Sequence, residues 1–290
     1  MCEAILTAGL TVIYLVFQEY GRRCKLKTLW LVFGIVPVVL APIWAWANDV
    51  DGFWWIKMFS VFAGICWAGL LRFTYAGRIA MFRSVVPWIL VINVGEAMMV
   101  DLLHAGIEHL MNALAAILLI LTIPMSESRV RVEEASGFND LQFDLPRSWI
   151  IGYTLWNWSF VILNYPAYAG HHLAILVAAL IVGWYNPKIW LQARAATLGL
   201  QLLCYASNPN ALLSIHDASQ WSNGYVVLLA PALACFWIII SRWNVCPRDL
   251  PKSIVILPQS FQSMSLIQSL QASIWKFSHC GKRSSNEQYS

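Results

Sequence analysis

Nine stretches of the chain are apolar and close to the ~20 residues that cross a bilayer. They lie at about 4–20, 28–47, 56–76, 85–105, 109–124, 148–165, 170–185, 190–206 and 223–241. The fifth and seventh are short, and eight spans result if one of them is a buried half-helix. This pattern predicts an all-α fold, a polytopic transmembrane helical bundle over residues 1–243. The first stretch lacks a basic leading region and a small-residue cleavage site, so it reads as a retained span rather than a signal peptide. The most polar break, Ser126–Arg147, reads as a loop dividing five spans from four. Past the ninth span, Pro247, Pro251 and Pro258 bar a continuous helix, after which Phe261, Met264, Ile267, Leu270 and Ile274 recur at helical spacing. Residues 244–290 therefore read as a tail carrying an amphipathic helix on the membrane surface.

Polar positions inside the spans are ordered. At about 100° per residue, Val100, Asn93, His104, Glu108 and Asp101 fall roughly 40°, 60°, 80°, 120° and 140° round from Glu96, with Gly95, Met98, Met99, Leu102 and Leu103 opposite. An ionisable side chain at bilayer depth is expensive and normally faces a cavity or a partner. Nothing cationic stands near Glu96 in sequence, and desolvation favours the neutral, proton-donating form of a carboxyl group. Glu96 is thus a candidate general acid, while a polar seam that glues helices together is the plainer alternative. In the sixth span Tyr153, Asn157 and Asn164 share one stripe, and in the eighth Arg194, Thr197, Gln201 and Asn208 share another. Arg194 and Arg72, each near a span end, have snorkelling as their plainer reading.

Composition confirms the membrane class: 59% of residues are hydrophobic and 12% charged, against about 25% charged in soluble domains. Basic residues fall in alternate loops, Arg22 to Lys27, Arg78 and Arg83, Arg129 to Arg147, Lys188, and Arg242 to Lys252, with only Lys57 on the other side. That bias predicts a non-cytosolic N-terminus and a cytosolic C-terminus, and makes the net charge of +4 a topology signal rather than a nucleic-acid footprint. In a eukaryote the host membrane would be the endoplasmic reticulum. Seven cysteines without close pairing form neither a disulfide framework nor a zinc motif.

The 16 Trp, 10 Tyr and 13 Phe exceed what interfacial belts require, since Trp67, Trp156, Trp158 and Trp237 fall inside spans. Ring faces attract cations, more so once water is excluded. A buried acid with aromatic walls is what carbocation chemistry needs, although rings serve more often as packing. Histidines are too few and wrongly placed for a di-iron desaturase: His104, His109, His171 and His172 would all lie near the non-cytosolic face. No metal site is expected, nor any DDxxD or DxDD motif for magnesium-assisted diphosphate ionisation.

The stretches WWIKMFSVFAGICWAGLLRFT, INVGEA, MNALAAILLILTIP, IIGYTLWNWSFVILNYP and WLQARAATLGL resemble a family of uncharacterised bacterial integral membrane proteins over about residues 53–208. In size and layout the chain is also similar to membrane-bound terpene cyclases of fungal meroterpenoid pathways, of the ascofuranone and macrophorin type. Those enzymes cyclise a farnesyl chain attached to an aromatic or polyketide head, from an epoxide or a terminal alkene. The resemblance implies functional positions at Asn93, Glu96, Tyr153, Trp156, Asn157 and Arg194. The proline- and serine-containing tail after Arg242 departs from the bacterial pattern and puts a shared substrate in doubt.

The expected function is a terpene cyclase acting on a lipophilic prenylated substrate within the membrane, cofactor-independent, with a prenyltransferase and an epoxidase as pathway partners. Glu96 would protonate the alkene or epoxide, and Asp101 with His104 would take the final proton. Tyr153, Trp156 and Trp158 would wall the pocket, and Asn93, Asn157 and Arg194 would contact the acid or substrate. The rival expectation is a proton-coupled transporter using Glu96 and Asp101 as protonation sites.

Overall fold

A backbone in hydrocarbon must satisfy its own N–H and C=O groups, so long apolar stretches become helices. The computed structural model describes residues 2–47, 52–135 and 138–243; the expected surface helix of the tail lies outside them. Each of the nine apolar windows contains a helix. In chain order these are α1 (Cys2–Arg23), α2 (Leu26–Trp30) continuing through a π-helical turn at Leu31–Ile35 into α3 (Val36–Ala47), α4 (Gly52–Phe73), α5 (Ala80–Leu103) and α6 (Ile107–Leu121). After a hairpin come α7 (Arg147–Asn164), α8 (Ala169–Tyr185), α9 (Trp190–Ser207), the short α10 (Pro209–Ile215) and α11 (Gly224–Trp243). Six are long and apolar enough to cross a membrane: Glu3–Arg23, Leu26–Ala47, Gly52–Phe73, Ala80–Leu103, Pro166–Tyr185 and Gly224–Ser241. Large apolar side chains stand exposed on them, among them Ile13, Val39, Ile92 and Leu229, as a lipid-facing surface requires.

Two buried clusters form the interior. One centres on α5, α6, α7 and α11, with Leu119, Trp149, Ile150, Trp156 and Trp190. The other joins α1 to α4 with α8 and α9 through Tyr14, Phe33, Phe62, Ile175 and Leu202. At the second cluster α9 presses against its neighbours through Gly199: a Cβ there would stand 2.4 Å from Ile65 Cδ1 and 2.9 Å from Phe33 Cε1. Small residues at helix interfaces permit such approach where no hydrophobic force drives helices together.

The predicted loop Ser126–Arg147 is where the all-α expectation fails. It contains an antiparallel hairpin, β1 (Val130–Ala135) and β2 (Phe138–Phe143), in the register Val130↔Phe143 and Val132↔Leu141. The alternation Val130, Val132 and Leu141, Phe143 is the period-two signal of a half-buried strand pair, obscured by the charges between. Val130, Leu141, Phe143 and Leu145 are buried, so the hairpin is a lid packed on one end of the bundle. It is also clamped. Arg22 donates to Asp140 through Nε (2.9 Å) and Nη2 (2.8 Å). Arg72 Nε donates to the Asn139 carbonyl at 2.6 Å, and Asn139 Nδ2 returns a bond to the Arg72 carbonyl at 2.6 Å. Arg72 is therefore buried as a fastener and does not snorkel.

Candidate functional site

At the seam of the two clusters, between α4, α5 and α9, lies a chamber of about 340 Å³. That falls within the roughly 300–1,000 Å³ of small-molecule sites. Val61, Trp67, Val86, Leu90 and Leu198 make most of its wall apolar, and Leu141 of the hairpin lines it too. Polar groups enter from Ser60, Asn93, Tyr153, Gln192 and Arg194. Ala63 and Ile92 line the chamber yet are exposed on the outer surface, so it opens sideways between α4 and α5.

Glu96 stands just beside this chamber, and it is not alone. Lys57, expected outside the membrane, sits inside α4 and is buried. Its Nζ lies 3.4 Å from Glu96 Oε2 and donates to the Asn93 carbonyl at 2.7 Å. Ser60 Oγ, one turn further along α4, is 3.1 Å from the same carboxylate oxygen. A buried acid without a cation, as sequence suggested, is therefore corrected to an acid–lysine–hydroxyl cluster. The lysine was missed because it lies thirty-nine residues from Glu96 along the chain; sequence proximity says nothing about a neighbouring helix.

Asp101 belongs elsewhere. On α5 it lies well over a quarter-turn round from Glu96, and the two carboxylates diverge: Glu96 faces α4, whereas Asp101 faces α6 and α7. Asp101 is fully buried, and Asn112 Nδ2 (2.7 Å), Asn164 Nδ2 (2.8 Å) and His109 Nδ1 (3.0 Å) surround it. It borders neither chamber. His104 is exposed past the end of α5, bonded to the Val100 carbonyl at 2.8 Å and stacked on His109 at 4.8 Å. The expected pairing of Asp101 with His104 as a terminating base has no geometric basis; His109 takes that contact.

The other expected residues divide. Tyr153 lines the chamber, and its hydroxyl accepts from Asn157 Nδ2 at 3.2 Å. Asn157 Oδ1 also meets His172 Nε2 and Arg194 Nη2, the latter at 3.4 Å, while Arg194 Nη2 is 3.3 Å from His172 Nε2. Trp156 is fully buried and lines no chamber, nor does Trp158. Helical phase explains both: the side of α7 that meets Arg194 is set by Tyr153 and Asn157. A second void of about 30 Å³ adjoins, lined by Lys57, Asn157, His172, Gln201 and the rings of Phe53, Trp54, Tyr165 and Tyr168. Arg194 and Leu198 border both voids. His172 and Gln192 were not anticipated; His172 follows from the helical stripe on α8 only once its neighbours are known.

Residues 1–241 match the pattern of DUF5692, described as a family of unknown function. The chain belongs to that family. No curated protein and no solved structure matches it. In this DUF5692 protein the match spans every described element except the last two residues of α11, so both chambers and the hairpin lid lie within the family region.

Proposed function

We propose that this protein is an intramembrane, acid-initiated terpene cyclase acting on a prenylated lipophilic substrate. The carrying observation is the apolar, laterally open chamber with Ser60 in its wall and Glu96 one hydrogen bond behind. In the reactive state the proton of the Lys57–Glu96 pair rests on the Glu96 carboxyl group and Lys57 is neutral; Ser60 then turns to accept from that carboxyl group, passes its own hydroxyl proton to an alkene carbon or an epoxide oxygen and takes the one from Glu96. The substrate becomes a cation, and the faces of Trp67 and Tyr153 stabilise the charge as it migrates. Cyclisation ends when a carbon beside the final cation loses a proton, which returns through Ser60 to Glu96. Asp101, sealed by its three donors, takes no part. Lys57 holds the Glu96 side chain in place and sets its charge between turnovers. The reaction is redox-neutral. Supply of such a substrate calls for prenyl transfer and, for epoxide initiation, an oxygenation step. In this reading the basic loops face the cytosol, and the hairpin lid with them.

A proton-coupled carrier remains the second reading, favoured by the Lys57–Glu96 pair, whose lysine is buried, and by the π-helical turn that interrupts the second apolar helix. Broken helices at a midplane site are a transporter feature. Product formation separates the two. A heterologous host fed a prenylated phenol, and separately its terminal epoxide, yields cyclised product with the native chain. Glu96→Gln lowers turnover at least about 100-fold, as loss of a general acid does. Undiminished product from Glu96→Gln removes the acid role, and flux of intact solute without product replaces the enzyme by the carrier.

A further inference from the structure

Arg194 has no carboxylate to answer it. The side chain is 3% exposed, inside an apolar bundle, and a guanidinium stays protonated at any ordinary pH. None of the salt bridges among the described residues includes it. Its Nη2 meets the Asn157 amide oxygen and the His172 ring, but Nε and Nη1 are buried with no hydrogen-bond partner. Two orphaned charged donors in one side chain are costly, since a buried donor left unsatisfied costs its full desolvation penalty. A buried charge without an anion costs more. The neighbouring Lys57 does not relieve this: it is a second cation, already matched by Glu96. The cluster of Lys57, Glu96 and Arg194 thus carries one positive charge in excess.

What could supply the missing anion is limited by where Arg194 sits. It borders the 340 Å³ apolar chamber on one side and the 30 Å³ void on the other. The small void has room for roughly two waters, enough for the two oxygens of a carboxylate and too little for a diphosphate. One surplus positive charge matches a monoanion. The apolar chamber beside it, open between α4 and α5, is shaped for a hydrocarbon chain entering from lipid.

We propose that Arg194 is the receptor for the carboxylate of an amphiphilic ligand whose apolar chain occupies the adjoining chamber. The head group is held by the free guanidinium nitrogens, with Asn157 and His172 fixing the plane of the guanidinium from behind. This rests on the reading of the chamber as a lipophilic-substrate site and narrows the substrate to a prenylated carboxylic acid. The carboxylate anchors one end of the chain, so the other end meets Ser60 and Glu96. An acid held in this way is bound, not consumed.

Calorimetry on the full chain in lipid nanodiscs tests the assignment with three probes of equal chain length, dodecanoate, dodecanol and dodecyl phosphate. The native protein binds dodecanoate at least tenfold more tightly than dodecanol. Arg194→Gln, checked for monodisperse elution, erases that preference while dodecanol affinity stays within twofold; Arg194→Lys keeps part of it. Equal binding of acid and alcohol by the native chain overturns the proposal, and this comparison needs no variant to fold. So does a preference that survives in Arg194→Gln, and tighter binding of dodecyl phosphate overturns the monocarboxylate. Acid preference without any cyclised product sinks the cyclase reading alone, and cyclisation of neutral substrates without acid preference sinks this inference alone.

Discussion

Two carboxylates five residues apart on α5 have opposite surroundings. Asp101 is fully enclosed and meets one donor each from His109, Asn112 and Asn164, drawn from two other helices. Glu96 meets a lysine and a serine from α4, and that serine borders a void. Both carboxylate oxygens of Asp101 accept within the protein, so its role is to fasten α5 to α6 and α7. On the Glu96 side the account does not close: Arg194 keeps two free donors and the chamber has no side chain filling it. Depth in the bilayer alone does not separate a functional acid from a structural one. What separates them is whether the protein itself satisfies the surrounding groups.

Removing Asp101 gives the largest structural effect. Asp101→Leu leaves three donors facing a hydrocarbon side chain and costs about 3–5 kcal/mol, as breaking a buried charged network does. Thermal unfolding of the detergent-solubilised protein should show this, while the surviving folded fraction keeps its specific activity. A variant as stable as the native chain would erase the contrast between the two acids. Lys57→Met comes next, at about 3 kcal/mol, because it strands Glu96 without its cation. The double variant Lys57→Met/Glu96→Met recovers most of that loss, since two partners removed together leave no lone charge. If the two single losses simply add in the double variant, the ion pair does not exist in the folded protein.

Much of this was legible in the chain, for physical reasons that also set the limit. Apolar runs near bilayer length could only be helices, so the order of α1 to α9 and α11 followed from hydrophobicity, and Asn157 and Arg194 followed from helical phase. Phase on one helix does not say which helix faces it. Lys57 looked like a loop residue because it lies near the start of its apolar window, and α4 begins early enough to draw it inside at Gly52. Trp156 and Trp158 looked like pocket walls because Trp inside a span is uncommon, but packing needs large rings as much as catalysis does. The hairpin was hidden because its buried residues alternate with Arg131, Glu133 and Asp140, and Arg22 neutralises the buried Asp140 from a helix more than a hundred residues away.

The hairpin lid sharpens the comparison at lower cost. Arg72→Met removes the donors to the Asn139 and Arg22 carbonyls and should lose about 1.5–3 kcal/mol, the range for hydrogen bonds to charged groups. Because Leu141 is part of the chamber wall, hydrogen exchange at residues 138–143 should accelerate together with entry of a hydrophobic dye. Faster exchange without dye entry would mean that the lid does not seal the chamber.

Trp156→Phe carries the smallest expected effect, about 1 kcal/mol as for a modest core truncation. The indole nitrogen of Trp156 is buried without a hydrogen-bond partner, so the change forfeits packing and no polar contact. Its ring stacks among Tyr153 and Phe160, at 5.5 and 6.5 Å, behind the surface that faces the chamber. The distribution of cyclised products should therefore be unchanged in Trp156→Phe and altered in Trp67→Phe, whose ring is in the wall. A changed product pattern from Trp156→Phe would bring that ring into contact with the migrating cation. The catalytic surface would then extend along α7 beyond Tyr153, towards the Asp101 side of the bundle.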